Sequence, residues 1–176
     1  MTVKRMKTLM LLRHAKSAWS DPTVGDHDRP LNERGRKAAA RMGRYMAEEA
    51  LRPDIVLSST SARTRETWRR LADAAGFDVA PRFENSLYLG RPGDYLALIA
   101  KLPEKAGNVL CLGHSPGIET LALRLSGDGD AEDLYAMAGK FPTAGMAVIE
   151  FEGGWADIGD GRGRLDRFVR PRLLGD

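Results

Sequence analysis

Three short segments hold the residues most able to do chemistry. Leu11-Leu12-Arg13-His14-Ala15 and Cys111-Leu112-Gly113-His114-Ser115 each place a histidine two residues past the last leucine of an apolar run, and Ser58-Ser59-Thr60-Ser61-Ala62-Arg63 places an arginine after a hydroxyl cluster. A guanidinium is a permanent cation whose planar fork matches phosphate oxygens. A histidine among cations is biased toward its neutral form, which is the nucleophilic one. Phosphoryl transfer is mostly positioning and charge stabilisation. The pattern therefore suggests an anion pocket in which neutral His14 attacks phosphorus and Arg13, Arg63 and His114 hold the equatorial oxygens. Those side chains already supply the positive charge, so no metal and no cofactor is expected. On Arg13-His14 alone, a capped strand end with a solvated arginine and a structural histidine stays open.

The pocket needs elements that bring the three segments together. Thr8 to Leu12, Asp54 to Leu57 and Asn108 to Leu112 read as short buried strands, with a weak strand at Phe77 to Arg82 and another at Ala144 to Phe151. Helices are expected at about Glu33 to Ala50 with Asn32 as N-cap, to about Ala75 from an opening at Ser58-Ser59-Thr60-Ser61, from Pro92 through Lys101, and after Gly117 to about Leu125. The segment from Trp155 on would add edge pairing. Alternating strands and helices imply a three-layer α/β fold, α-β-α, with a mainly parallel central sheet covered by helices on both faces. In such sheets ligands bind at the carboxyl edge, where all three segments would lie if their strands are parallel neighbours.

Composition narrows the function classes. The chain has 176 residues with 43% hydrophobic content, which fits a single domain over 1–176. It carries 27 basic and 24 acidic residues, a net charge of +3. Arg162, Arg164, Arg167, Arg170 and Arg172 crowd the C-terminal segment, but Asp157, Asp160 and Asp166 interrupt them, so no nucleic-acid stripe is expected. One cysteine, no signal-peptide core and no membrane-length apolar run lead to the expectation of a cytoplasmic protein with no membrane partner.

Rival motifs weaken on inspection. Gly113-His114-Ser115-Pro116-Gly117 fits a serine nucleophile elbow, but none of the 3 histidines follows Ser115 as that triad requires. Ser115 is read instead as a helix N-terminal residue lending its backbone N–H to phosphate. Cys111 lies inside an apolar strand and is expected to be buried and inert. The histidines lack zinc spacing, and His27 is expected to be exposed. Asp128-Gly129-Asp130 reads as a solvated turn before a helix, not a calcium loop.

Taken in order, the three segments resemble the histidine phosphatase superfamily, the fold of cofactor-dependent phosphoglycerate mutase, and within it the small SixA-type phosphohistidine phosphatases. Leu12-Arg13-His14-Ala15 is similar to the family's Arg-His-Gly motif, Ser58 to Thr67 to its second motif, and Leu112-Gly113-His114-Ser115 to its third. Asp28-Arg29-Pro30-Leu31-Asn32-Glu33-Arg34-Gly35 and Lys140-Phe141-Pro142-Thr143 look SixA-like as well. The resemblance implies His14 as nucleophile and Arg13, Arg63 and His114 as the phosphoryl cradle. Ser20 stands where mutase relatives have an asparagine and is carried as a further phosphate contact. Ala15 replaces the family glycine, which is tolerable only at negative φ.

Mutase relatives also place a glutamate general acid just past a leucine in the loop after the third strand. Here Leu87 is followed by Tyr88-Leu89, and Glu84 lies out of register. Asp26 or Asp28 would be the substitute proton donor. An alkoxide leaving group needs a proton, whereas imidazole departs readily from phosphorus, so the missing acid favours phosphohistidine. The chain is also too short for the insertions that build a lid, and an open site suits a phosphorylated protein, such as a histidine-phosphorylated signalling or phosphotransfer protein. The alternatives are a phosphatase of small phosphoesters and a non-catalytic module that binds a phosphorylated partner.

Overall fold

The computed structural model describes residues 5–175. Seven strands form one sheet: β1 (Met6–Arg13), β2 (Ile55–Ser59), β3 (Arg82–Glu84), β4 (Asn108–Gly113), β5 (Ser126–Gly129), β6 (Met146–Glu152) and β7 (Gly163–Val169). Their spatial order is β3-β2-β4-β1-β6-β7-β5. Only β6 runs against its neighbours β1 and β7; the pairs β2–β3, β2–β4, β1–β4 and β5–β7 are parallel. The sheet is thus mixed but mainly parallel.

Five helices cover it: α1 (Glu33–Glu48), α2 (Ala62–Ala75), α3 (Pro92–Ile99), α4 (Gly117–Leu125) and α5 (Ala131–Gly139). Side-chain alternation on the central strands decides which helix packs where. Leu9 and Leu11 of β1 face Tyr95 and Ile99 of α3, Ile118 and Leu121 of α4 and Met137 of α5. Met10 and Leu12 face Met42 and Met46 of α1 and Trp68 and Leu71 of α2. Strands buried on both faces need continuous apolar runs, which is why β1 and β4 read so clearly. The three-layer α/β architecture is therefore as expected.

Three boundaries differ from the expectation. The third strand is not at 77–82 but at Arg82–Glu84. Gly76 closes α2 in the left-handed region at φ 73°, and Phe77 then stacks on Trp68 with ring centroids 6.5 Å apart, which holds that stretch off the sheet. The stretch expected as a solvated turn at 128–130 is part of strand β5, parallel to β7, and only Asp130 keeps the turn role, capping α5 through Glu132 and Asp133 N–H. The strand expected from Ala144 begins at Met146, because Ala144 has φ 58° and its N–H returns to the carbonyls of Arg13 and His14. The C-terminal pairing exists as β7, with β5 rather than β7 at the sheet edge.

The α1–α2 crossing has no spare room. A Cβ on Gly43 would lie 2.2 Å from the Leu71 carbonyl oxygen, a backbone atom that cannot swing away. Gly43→Ala is expected to separate the helices and destabilise the fold by about 1–3 kcal/mol. Urea denaturation checks this: an unchanged midpoint would mean the helices do not cross there.

Candidate active site

Strand order does the assembling. β2, β4 and β1 are parallel neighbours, with Arg13 opposite Gly113 and Ser58 opposite Leu112. Their carboxyl ends therefore deliver Ser59, His114 and the Arg13-His14 pair to one edge. The His14 N–H also bonds the Gly113 carbonyl at 3.0 Å. Ser61 caps α2 by accepting from Thr64 N–H, which fixes Arg63 in the first turn. Ala15 N–H donates to Thr67 Oγ1 at 3.0 Å, and Thr67 donates to the Arg63 carbonyl at 2.7 Å, so the β1 loop and α2 are tied together. Ala15 is absent from the described residues with left-handed φ, so its methyl group causes no backbone strain.

An open cavity of about 230 Å³ lies at this edge, lined by Arg13, His14, Arg29, Arg63, His114 and Ser115 among others. The His14 and His114 rings are 5.2 Å apart. His14 Nδ1 lies 2.7 Å from the Ala15 carbonyl, which can only accept, so Nδ1 carries the proton and Nε2 keeps its lone pair. Burial first, then Arg63, Arg13 and Arg29, push the His14 pKa down to about 4, against the opposing pull of the Ala15 carbonyl. The ring is neutral at pH 7.

His114 is neutral too. Its pKa falls to about 3, chiefly through burial and then through His14, Arg63 and Arg13. Arg63 Nη2 donates toward His114 Nδ1 at 3.3 Å, leaving Nε2–H to donate to Ser59 Oγ at 2.8 Å. Both nitrogens are thus engaged inside the protein.

The arginines are held in place but keep unspent donors. Arg13 Nη1 donates to the Phe141 carbonyl at 2.7 Å, and Arg63 Nη1 to the Asp26 carbonyl at 2.7 Å. The Nε atoms of both are buried with no partner. Buried donors without partners are costly unless something else satisfies them. An anion with several oxygens would do so.

The other sequence candidates divide. Ser115 lines the cavity, with its hydroxyl buried and unpartnered. Ser20 does not: it is exposed and outside the lining residues, and the neighbouring Trp19 lines the cavity instead. Asp28 is 85% exposed and pairs only with His27, at 3.5 Å. Glu84 sits beside Ser59 at the end of β3, outside the lining residues. Asp26 contacts the cluster but as an anion. It accepts from Tyr88 Oη, from Arg29 at 2.8 Å and from Arg63 at 3.1 Å, and these bonds, Tyr88's first, hold it well below the usual carboxylate range. A carboxylate so stabilised has no proton to give. His27, expected exposed, is half-buried, bonding Thr60 Oγ1 at 2.9 Å and stacking edge-on against Tyr88 at 4.7 Å. Cys111 is buried as expected, and burial pushes its thiol up to about 12.

Sequence reading gave no role to several residues that the fold brings in. Arg29 is buried, donates to Ser17 Oγ and to Asp26, and lies 3.6 Å below the Trp19 ring. Lys16, Thr143 and Leu89 complete the wall. The usable signal for Arg29 was its place in the SixA-like stretch, where an arginine sits between Asp28 and a proline. Tyr88 directly precedes Leu89, where the acid is missing, with its ring 5.6 Å from His114 and 6.0 Å from the Arg63 guanidinium carbon. Among the described residues, no group of three or more His, Cys, Asp or Glu is placed to hold a metal ion, and no helix is long and apolar enough to cross a membrane.

Comparison with known proteins agrees with this geometry. Residues 9–87 match the family model described as histidine phosphatase superfamily (branch 1). A solved SixA structure from Agrobacterium tumefaciens is 36% identical, with a TM-score of 0.76, over 94% of this chain and 98% of that one. A SixA structure from Nakamurella multipartitia is 30% identical, with a TM-score of 0.79, over 94% and 96%. An uncharacterized protein of Mycobacterium tuberculosis is 36% identical over 92% of this chain and 100% of its own length. Similarity of this extent, together with the Arg-His strand tip on a phosphoglycerate mutase-like sheet, shows that the chain belongs to the histidine phosphatase superfamily, on its SixA-type branch.

Proposed function

We propose that the chain is a phosphatase that works through a phosphohistidine intermediate on His14 and removes the phosphoryl group from protein phosphohistidine. The observation that carries the mechanism is the Nδ1–H bond from His14 to the Ala15 carbonyl. It fixes the tautomer so that Nε2 is the nucleophilic atom. In the first step Nε2 attacks phosphorus, a new P–N bond forms and the bond to the leaving group breaks. In the second step water attacks phosphorus, the His14 P–N bond breaks and inorganic phosphate departs. Arg13, Arg63 and Arg29 stabilise the charge on the transferring group, and the unpartnered Nε–H groups of Arg13 and Arg63 find acceptors there. With Nε2–H held by Ser59, Nδ1 is the atom at which His114 would take up a proton and donate to a phosphoryl oxygen.

The substrate class follows from the proton inventory. Leu89, exposed at the cavity wall, stands where a general acid would serve an alcohol leaving group, and Asp26 is locked as an anion. A phosphorylated imidazole needs no donor at the scissile bond. Solvent protonates its far nitrogen, and neutral imidazole leaves. The open cavity also admits a phosphate carried on a protein surface. The SixA relatives bear the name phosphohistidine phosphatase, which agrees with this reading.

His14→Ala is expected to abolish turnover, a loss of at least about 10³-fold, and the wild-type protein should acquire acid-labile phosphate after brief exposure to substrate. Full activity in the variant ends the mechanism. The imidazole carbon-bound proton of His14, followed by NMR, should titrate near pH 4 and not at 6.5, since burial and three cations disfavour the charged ring; a midpoint at 6.5 contradicts the neutral nucleophile. A panel of phosphohistidine protein, phosphoserine peptide and sugar phosphates tests the substrate. Preference for sugar phosphates by orders of magnitude would replace this reading with the small-phosphoester one.

A further inference from the structure

A second, larger cleft of about 400 Å³ opens beside the catalytic cavity and shares Arg13, Lys16 and Thr143 with it. Its other charged walls are Arg34 and Arg41 from α1, Lys140 from the loop before β6, and Arg172 near the C-terminus. Six cations line it, and no acidic side chain among the described residues does. Lys16, Arg34, Lys140 and Arg172 make no side-chain hydrogen bond or ion pair with any described residue. Several arginines elsewhere are paired with carboxylates instead: Arg52 with Asp78, Arg124 with Asp160, Arg164 with Asp128, Arg167 with Glu49. With a net charge of only +3, the concentration of positive charge here is a matter of placement.

We infer that this cleft docks an acidic segment of the phosphorylated protein, flanking the residue whose phosphoryl group enters the catalytic cavity. The inference rests on the protein-substrate reading above and adds the chemistry that selects the partner. Arg34, Ala38 and Arg41 share one face of α1, so the two arginines stand about 10 Å apart along the helix, at about 1.5 Å per residue. Lys140 and Arg172 come from two further elements. One extra phosphate on a small substrate would use two or three donors at one point. Cations spread over two helical turns and two loops match carboxylates distributed along a polypeptide.

Arg34→Gln, Lys140→Gln and Arg172→Gln combined leave Arg13 and Lys16 of the catalytic cavity untouched. A fluorescent, phosphate-free, glutamate-rich peptide should bind the wild-type protein, and bind the triple variant about tenfold more weakly, equivalent to about 1.4 kcal/mol. The same peptide with glutamines should bind neither, and about 1 M salt, where the screening length is about 3 Å, should remove the binding. On phosphohistidine peptides, kcat/KM should favour glutamate flanks over glutamine flanks about tenfold in the wild type and not in the triple variant. Turnover of para-nitrophenyl phosphate should stay unchanged. Equal binding of the two unphosphorylated peptides, equal binding by the triple variant, or displacement by pyrophosphate with no peptide binding overturns the inference. Glutamate-peptide binding without phosphohistidine turnover upholds the cleft and overturns the substrate reading instead.

Discussion

Three guanidinium groups are gathered around one buried imidazole, and the rest of the site exists to make that possible. Arg13, Arg29 and Arg63 all lower the His14 pKa, which shows how closely their charges converge. Like charges in a partly desolvated cavity repel: two unit charges about 4 Å apart interact by about 4 kcal/mol at a surface-like dielectric. Asp26 offsets this by bridging Arg29 and Arg63 with one carboxylate. The Phe141 carbonyl holds Arg13, and Ser17 holds Arg29. What remains is a cavity with excess positive charge, a neutral His14 imidazole and unpartnered Nε–H donors.

That cluster depends in turn on the sheet. Parallel pairing of β2, β4 and β1 places segments more than forty residues apart in sequence at one edge, because parallel strands need helical crossovers between them. The antiparallel β6 contributes from the other side. Its approach through Ala144, in a left-handed conformation, brings a backbone N–H back to the Arg13 and His14 carbonyls and clamps the tip of β1. The same approach carries the Phe141 carbonyl to Arg13 and Lys140 and Thr143 to the neighbouring cleft. Catalytic cavity and basic cleft are therefore two sides of one strand tip.

The acid–base character of the site follows from hydrogen-bond saturation. Asp26 contacts Arg29 and Arg63 at the cavity, yet three donors hold it as an anion and make it an organiser of cations instead of a proton source. Tyr88, one residue before the position of the missing acid, spends its hydroxyl on Asp26, which raises its own pKa. His114 is neutral for the same kind of reason, with one nitrogen facing Arg63 and the other committed to Ser59. Nearness to His14 thus sets no residue's protonation by itself; the partners of its remaining lone pairs and protons do.

By itself the sequence determined whatever is local or periodic. Continuous apolar runs marked β1 and β4 because both their faces are buried, and Asn32 marked a helix start because its side chain caps its own backbone, while the Ser58 to Ser61 cluster marked another without telling which serine caps it. The order of the Arg-His, Arg63 and His114 segments also singled out four residues that line one cavity. Only tertiary structure decided the rest. β5 pairs parallel to a strand more than thirty residues away, and nothing in Ser126 to Gly129 announces it. Phe77 left the expected strand because Trp68, nine residues earlier, offered a ring to stack on. Arg29, Asp26 and Tyr88 joined the site, and Ser20, Asp28 and Glu84 stayed out of the cavity, because loops converge in space by chain path and not by spacing. The protonation states were likewise settled by burial and by partners distant in sequence, which residue types alone do not encode.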